Sequence, residues 1–387
     1  MDRVPLHSSY RPITDDDSDA DSLDIEYVSR RQQLGAIALT QLGSEKPRWK
    51  KGCADPTWRF CSRLFAILAL ISSVALTAAL FAYLGNMVMP INNLSYTDRR
   101  IRREWRSLTI NEQQNYIESV QCIQNLPSEL VGRGNFYDDL VYVHYLVGSQ
   151  THGAASFLPW HRAFLHIYES LLTERCGLTI PLPYWNWELD HQSLETASIW
   201  SPITGFGGDG SADLAEGLGH GRCVVNGPFA NVTRLYWEGE EHPHCLGRSF
   251  KHFEKGEIGK MSGGWFTPEK IGIVQRSEGY FEFEDRIEGT IHNAIHWSLR
   301  GEMASKSAAN DPIFWLHHVQ LDRLWWKWQL ERPDTRFTDY EGISLNTSAG
   351  RKKEARLGDT LEFLDLWKDI RVSEVMKTEG SVLCYRY

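Results

Sequence analysis

The chain has 387 residues, is 42% hydrophobic and 24% charged, and carries a formal net charge of −9. That length suits one large buried core or two small ones. The acidic balance, with no basic stripe recurring in the main domain, argues against nucleic acid as a partner.

Residues 1–63 read as a solvated cytosolic tail. Asp15-Asp16-Asp17-Ser18-Asp19-Ala20-Asp21 is an acidic run that repels itself and buries nothing. Residues 64–84 contain no charged side chain and are long enough to cross a bilayer core of roughly 30 Å as one helix. Lys46, Arg48, Lys50, Lys51, Arg59 and Arg63 crowd the N-terminal flank, and the next basic residue is Arg99. The positive-inside rule then predicts a single-pass type II membrane protein, with residues 85–387 lumenal or extracellular. Sequons at Asn93, Asn231 and Asn346 are the expected glycosylation sites on that side. Of seven cysteines, Cys53 and Cys61 precede the span and five follow it. Cys223 and Cys245 bracket a loop-rich stretch and are the first pair expected to bridge. His242 and His244 have no second ligand pair at zinc-finger spacing and read as surface loop residues.

Past the span, a long amphipathic helix is predicted over 101–126, closed by Pro127. A second covers 136–147 with His144 on its inner face, and a third covers 158–175 with His161. Gly- and Pro-rich residues 200–280 read as long loops that shape an entrance. In Glu288-Gly289-Thr290-Ile291-His292-Asn293-Ala294-Ile295-His296 two histidines stand four apart, on one helical face. Another apolar helix follows Asn310-Asp311-Pro312, with Asp311 as its N-cap and His318 about two turns in. Three neutral imidazoles on two facing helices, without carboxylate or thiolate, suit copper or zinc. His144, His152 and His161 form a second set of three, with His166 as a competing candidate. The fold expected is mainly α: an antiparallel four-helix bundle with metals between facing helices, long loops and minor β, preceded by one transmembrane helix. Several of the 15 Trp stand beside these histidines, as an aromatic-walled pocket would require.

Two motifs carry a family resemblance. Phe157-Leu158-Pro159-Trp160-His161-Arg162, and His292-Asn293-x2-His296 followed by Asn310-Asp311-Pro312-x-Phe314-Trp315-Leu316-His317-His318, resemble the paired metal motifs of the type-3 copper family. That family comprises tyrosinases, catechol oxidases and molluscan haemocyanin units. The likeness spans about 101–387 and is similar to short, membrane-anchored fungal tyrosinase-like enzymes, which are associated with secondary metabolism and modified peptides. It implies two copper ions, CuA on His144, His152 and His161 and CuB on His292, His296 and His318. It implies dioxygen as co-substrate, bound as peroxide, and oxidation of a phenol by monophenol hydroxylation, by o-diphenol to o-quinone conversion, or by both. A tyrosine-like or peptidyl-tyrosine substrate and partner enzymes of a biosynthetic pathway are implied with it. Glu288 and Asn293 match the residues thought to hold a water that accepts the phenolic proton. Asp322, one turn after His318, is expected to fix that ring's other N–H, and Phe314 to pack against a ligand ring.

The pattern also departs from the family. Gln150 stands where many fungal relatives carry a Cys thioether-bonded to the second CuA histidine, and His144 and His152 are only eight apart. The stretch from Phe283 to His292 is shortened as well. Tyr385-Arg386-Tyr387 resembles the Tyr/Phe-x-Tyr motif that ends tyrosinase cores, and its rings are expected to pack on Arg102 or Arg103. Two alternatives stay open: a catechol or o-aminophenol oxidase without monophenol hydroxylation, and a haemocyanin-like oxygen carrier.

Overall fold

The structure is a computed structural model that describes residues 100–230, 232–344 and 353–387, all within one unit, Ser95–Tyr387. The acidic tail, the apolar span 64–84, Cys53, Cys61 and the sequon residues Asn93, Asn231 and Asn346 lie outside the described residues. Among the described residues no helix is long and apolar enough to cross a membrane.

The first predicted helix starts much later than its periodicity suggests. Arg100–Ile101 (β1) instead pairs in parallel with the C-terminal strand Tyr385–Arg386, and the Arg102 N–H continues the pairing by donating to the Arg386 carbonyl at 2.8 Å. Helix α1 (Ile110–Ile123) begins only where Thr109 and Glu112 form a reciprocal capping box. A second capping box, Asn135 with Asp138, opens α2 (Phe136–Thr151), which runs a turn past the expected end. Helix α3 (Phe157–Cys176) stops at Gly177, whose φ of 69° is the left-handed conformation that ends helices.

The 200–280 region, read from composition as loops, carries short strands. β2 (Arg222–Cys223), β3 (Thr233–Trp237), β4 (Glu240–Cys245) and β5 (Gly247–Arg248) form two antiparallel pairs, β3–β4 and β2–β5. The β3–β4 hairpin turns at Glu238-Gly239, where φ is positive at both positions, 48° and 82°. Gly239 is required for a second reason, since a Cβ there would sit 2.2 Å from the Tyr145 ring on α2. The expected Cys223–Cys245 disulfide is present, and a second bridge, Cys122–Cys176, ties α1 to the end of α3; Cys384 is unbonded.

Helix α4 (Pro268–Gln275) precedes α5 (Tyr280–Arg286), which passes through a π-helical turn, Ile287–His292, into α6 (Asn293–Leu299). Helix α7 (Ile313–Glu331) follows a tight connection. Asp311, expected as its N-cap, does accept the Ile313 N–H at 3.1 Å. Its carboxylate is also gripped in bidentate fashion by buried Arg248, at 2.6 and 2.8 Å. The fold is mainly helical, with α2, α3, α5–α6 and α7 as the four helical runs that carry the histidines. Fully buried Trp105, Trp160, Trp185, Trp187, Trp315, Trp325 and Trp328 fill the space around them.

Asp322 on α7 does not serve His318 as the sequence suggested. It accepts from Arg162 at 2.5 Å, from Arg102 at 3.3 Å, and from the hydroxyls of Tyr385 and Tyr387. Burial pulls its pKa upward, but Arg162 and Arg102, together with the Tyr385 and Tyr387 hydroxyls, more than offset that and hold it below the usual carboxylate range. Two guanidiniums outcompete a neutral imidazole for a buried carboxylate. Arg102 also lies 3.5 Å above the Tyr385 ring, as expected, so the network joins β1, α3, α7 and the C-terminal strand. Removing one partner of such a network strands buried charge and costs about 3–5 kcal/mol. Asp322→Ala is therefore expected to lower unfolding free energy by about that amount in urea titration; a loss under about 1 kcal/mol would show that the network is not what joins these elements.

Candidate metal centre

The first histidine set comes from α2 and α3. His144 faces inward from the middle of α2, and His152 is that helix's C-cap, in extended conformation. Ending α2 at His152 is what allows an eight-residue spacing to bring the rings to 5.4 Å. His161, on the second turn of α3, completes a group whose ligand-capable nitrogens lie within 4.8 Å of one another. His166, the competing candidate, is half-buried on the same helix and outside that group.

The second set comes from the π turn, α6 and α7. The π turn inserts its extra residue just before α6, leaving His292 at the end of the turn and His296 within α6, with rings 4.3 Å apart. His318 joins them from α7 and stacks on His161 at 4.2 Å, 6° from parallel, so the two sets face each other. His317 also lies in this second group, which the sequence analysis did not assign. The Trp187 indole N–H donates to its Nδ1 at 3.2 Å. An accepting Nδ1 places the proton of a neutral ring on Nε2, so His317 presents an N–H rather than a lone pair. The signal for it was the His317-His318 pair together with Trp187 in the Pro-Tyr-Trp-Asn-Trp stretch.

Five of the other rings have the opposite tautomer, while neither nitrogen of His318 meets a hydrogen-bond partner among the described residues. Nδ1 of His144 donates to the Lys306 carbonyl at 2.9 Å, His152 to Gly148 at 2.9 Å and His161 to Phe157 at 2.8 Å. His296 donates to the Met303 carbonyl, and His292 to the Asn293 side-chain oxygen at 3.1 Å. Because these acceptors can only accept, each Nε2 keeps its lone pair. Among the described residues, Nε2 of His144, His161, His292, His296 and His318 is buried with no partner. Orphaned lone pairs on neutral rings, grouped in threes without an acidic ligand, fit a pair of copper ions, and the donor set alone would also admit zinc.

Phe314 packs as expected, 4.2 Å from the His318 ring and 4.9 Å from His144. Glu288 is buried, and both its oxygens accept the Gly153 N–H at 2.9 Å, so it braces the residue that follows His152. Burial, and then the neighbouring Glu288 charge, push the Glu284 carboxyl well above its ordinary pKa. Asn293, for its part, fixes His292. Both residues singled out as proton handlers thus have a positioning task. Gln150 keeps the place of the missing Cys, its carbonyl bonded by the Ser156 hydroxyl.

The common central domain of tyrosinase matches residues 134–331, which contain every histidine of both sets. Tyrosinase ustQ of Aspergillus flavus is 40% identical over 324 residues, covering 84% of this chain and 89% of its own length. Tyrosinase-like protein phomQ2 of Diaporthe leptostromiformis is 40% identical over 396 residues, covering 95% and 100%. Among solved structures, a polyphenol oxidase variant from Thermothelomyces thermophila shares the fold, with a TM-score of 0.63 at 24% identity over 76% of this chain and 89% of that one.

Burial, first of all, sets the acid–base behaviour of the rings. It lowers the pKa of His144 to about 3 and of His296 to about 4, and with help from neighbouring imidazoles pushes His161, His292 and His318 well below 6.5. Unfolded histidines take up protons near pH 6.5, so the unfolded state binds more protons as pH falls. The metal-free protein should have its full stability above about pH 6.5 and lose it as pH drops toward the folded values, by about 1.4 kcal/mol per pH unit for each such ring. Melting of the metal-free protein between pH 7 and 5 measures this; an unchanged Tm would contradict the buried, neutral assignment.

Proposed function

Since the chain belongs to the tyrosinase family, we propose that it is a dinuclear copper oxidase of phenols. The observation that carries this reading is the facing pair of three-histidine groups, in which buried Nε2 of His144, His161, His292, His296 and His318 meets no partner among the described residues. His144, His152 and His161 would hold one ion, and His292, His296 and His318 the other. Copper bound there supplies the electrons that activate dioxygen against a phenol ring. The protein's own contribution is to fix five of the six imidazoles through Nδ1, to keep the buried rings neutral, and to keep bulk water from them.

The substrate in this reading is a tyrosine-like or peptidyl-tyrosine phenol of secondary metabolism, a class that the relatives named as tyrosinases support. A monophenol must lose its hydroxyl proton before reacting, and Glu288 with Asn293 would orient the water that takes it. Glu284 alongside, its carboxyl held well above the ordinary pKa by burial and by Glu288, gives Glu288 a neighbour with which to share a proton. Copper-loaded protein should therefore colour with tyrosine as well as with a catechol. Colour with the catechol alone would leave a catechol or o-aminophenol oxidase. His161→Ala and His318→Ala should each lose about one copper by metal analysis. Both variants keeping two coppers would overturn the ligand assignment.

The same reading extends to placement in the cell: a type II membrane protein with the copper domain lumenal or extracellular. The apolar span 64–84 and its basic N-terminal flank support it, as do two disulfides in the described domain, which form and persist in oxidising compartments. Protease added to sealed microsomes should trim only the N-terminal tail. Digestion of the copper domain under those conditions would place it on the opposite side.

A further inference from the structure

The segment 300–310, within the connection between α6 and α7, touches both histidine sets through backbone carbonyls. Its Met303 carbonyl accepts from Nδ1 of His296, and its Lys306 carbonyl accepts from Nδ1 of His144. One histidine of each set is therefore aimed by the same short segment. Nothing in the local sequence of either motif reveals this, because the acceptors are main-chain atoms.

The segment is held under strain. Arg300 has φ 55° and ψ −156°, a region that residues with a side chain rarely adopt. Gly301 follows at φ 51°, packed so closely that a Cβ would lie 2.1 Å from the Gly247 carbonyl oxygen. Such a conformation persists only when its surroundings over-determine it.

Glu302 is the surrounding group that does so. Its carboxylate is almost wholly buried and has three partners: Nε2 of His244 at 3.0 Å, the Gly247 N–H at 3.3 Å and the Asn310 amide at 3.0 Å. Asn310 also donates to the Tyr236 carbonyl at 2.8 Å, which closes the far end of the segment onto β3. His244 donates from Nδ1 to the His242 carbonyl, so with Nε2 on a carboxylate both ring nitrogens carry protons and the ring is a cation. Arg234 is the other charged group felt by that ring. The β3–β4 turn adds a second grip: Glu238 accepts the Lys306 N–H at 3.0 Å and gives its own N–H to the Ser307 hydroxyl at 2.8 Å. The sequence reading placed His244 on a surface loop; it is instead largely buried, with its hairpin stapled by Cys223–Cys245.

We propose that Glu302, paired with His244, is a positioning residue shared by both copper half-sites, locking the 300–310 segment so that its two carbonyls aim His296 and His144 together. The proposal rests on the dicopper reading and goes beyond it by assigning one remote ion pair to both metals. Loss of an outer partner of a metal-binding histidine typically costs about 10–100-fold in metal affinity. A change at Glu302 should therefore weaken two sites at once.

The test isolates each half-site. In full-length protein purified in detergent, His161→Ala leaves the His292, His296, His318 set, and His318→Ala leaves the His144, His152, His161 set. Into each background go Glu302→Ala, Glu302→Gln and His244→Gln, and copper(I) affinity is read by competition with a chromophoric chelator. Glu302→Ala should weaken copper about tenfold or more in both backgrounds. Glu302→Gln should weaken it less, because the amide retains an oxygen for the Gly247 N–H. Amide hydrogen exchange of the metal-free protein should quicken across 300–310 while α1 is unaffected, a local signature that general destabilisation would not give. Should Glu302→Ala fail to fold, Glu302→Gln and His244→Gln carry the same comparison. Affinity unchanged in both backgrounds, or lowered in only one, overturns the shared role. Copper binding absent from the parent protein and from both backgrounds would instead remove the dicopper reading itself.

Discussion

Burying several imidazoles within a few ångströms of one another is the constraint on which this structure depends. A charged imidazolium in that space would repel its neighbours and forgo hydration, so the rings are neutral, and a neutral ring still has one N–H to satisfy. Five of the rings meet that requirement with Nδ1 on an oxygen acceptor, four of them main-chain carbonyls. The choice decides everything downstream, because it turns Nε2 into the free lone pair. His317 shows the converse: an indole N–H on its Nδ1 reverses the tautomer and takes the ring out of the ligand set.

Acceptors of this kind are useful only if the backbone that bears them is immobile. For His152 and His161 the carbonyl lies four residues back on the ring's own helix, at Gly148 and Phe157, so the helix supplies it without further arrangement. For His144 and His296 it comes from the 300–310 segment, whose regular structure is two short 3-10 turns, Gly301–Ala304 and Ala308–Asn310. The molecule responds there with strained backbone, close glycine packing, a buried His–Glu pair and a disulfide-closed hairpin. Irregular backbone beside the centre is thus held by more polar contacts than the helices need.

One turn past His318 along α7, Asp322 performs a different service. Its two arginines and two tyrosine hydroxyls bring the first and last strands of the described domain onto the helices that carry His161 and His318. These two rings stack across the gap between the half-sites, so small shifts of α3 against α7 would alter the spacing of the sets. A carboxylate with four donors, rather than an apolar contact, sets that spacing with a fixed geometry.

Much of this was legible in the residues. Helix periodicity, the His292–His296 spacing, the Asp311-Pro312 start of α7 and the Trp-rich surroundings are local patterns, and local patterns report which side chains share a face. The late start of α1 was not legible, because an amphipathic pattern from Ile101 onward does not reveal that Tyr385–Arg386 will claim the first residues as a strand. Asp322 stands one turn from His318 in sequence, yet its partners come from residues 102, 162, 385 and 387, so proximity along a helix misjudged its task. His244 was misread in the same way, through its partner Glu302, and the Gly153 partner of Glu288 was equally invisible along the chain. Spacing along the chain determined which histidines can converge, because a helix repeats every few residues. Tertiary structure alone decided what each ring's second nitrogen meets, because those acceptors are backbone atoms and charges brought in from far along the chain.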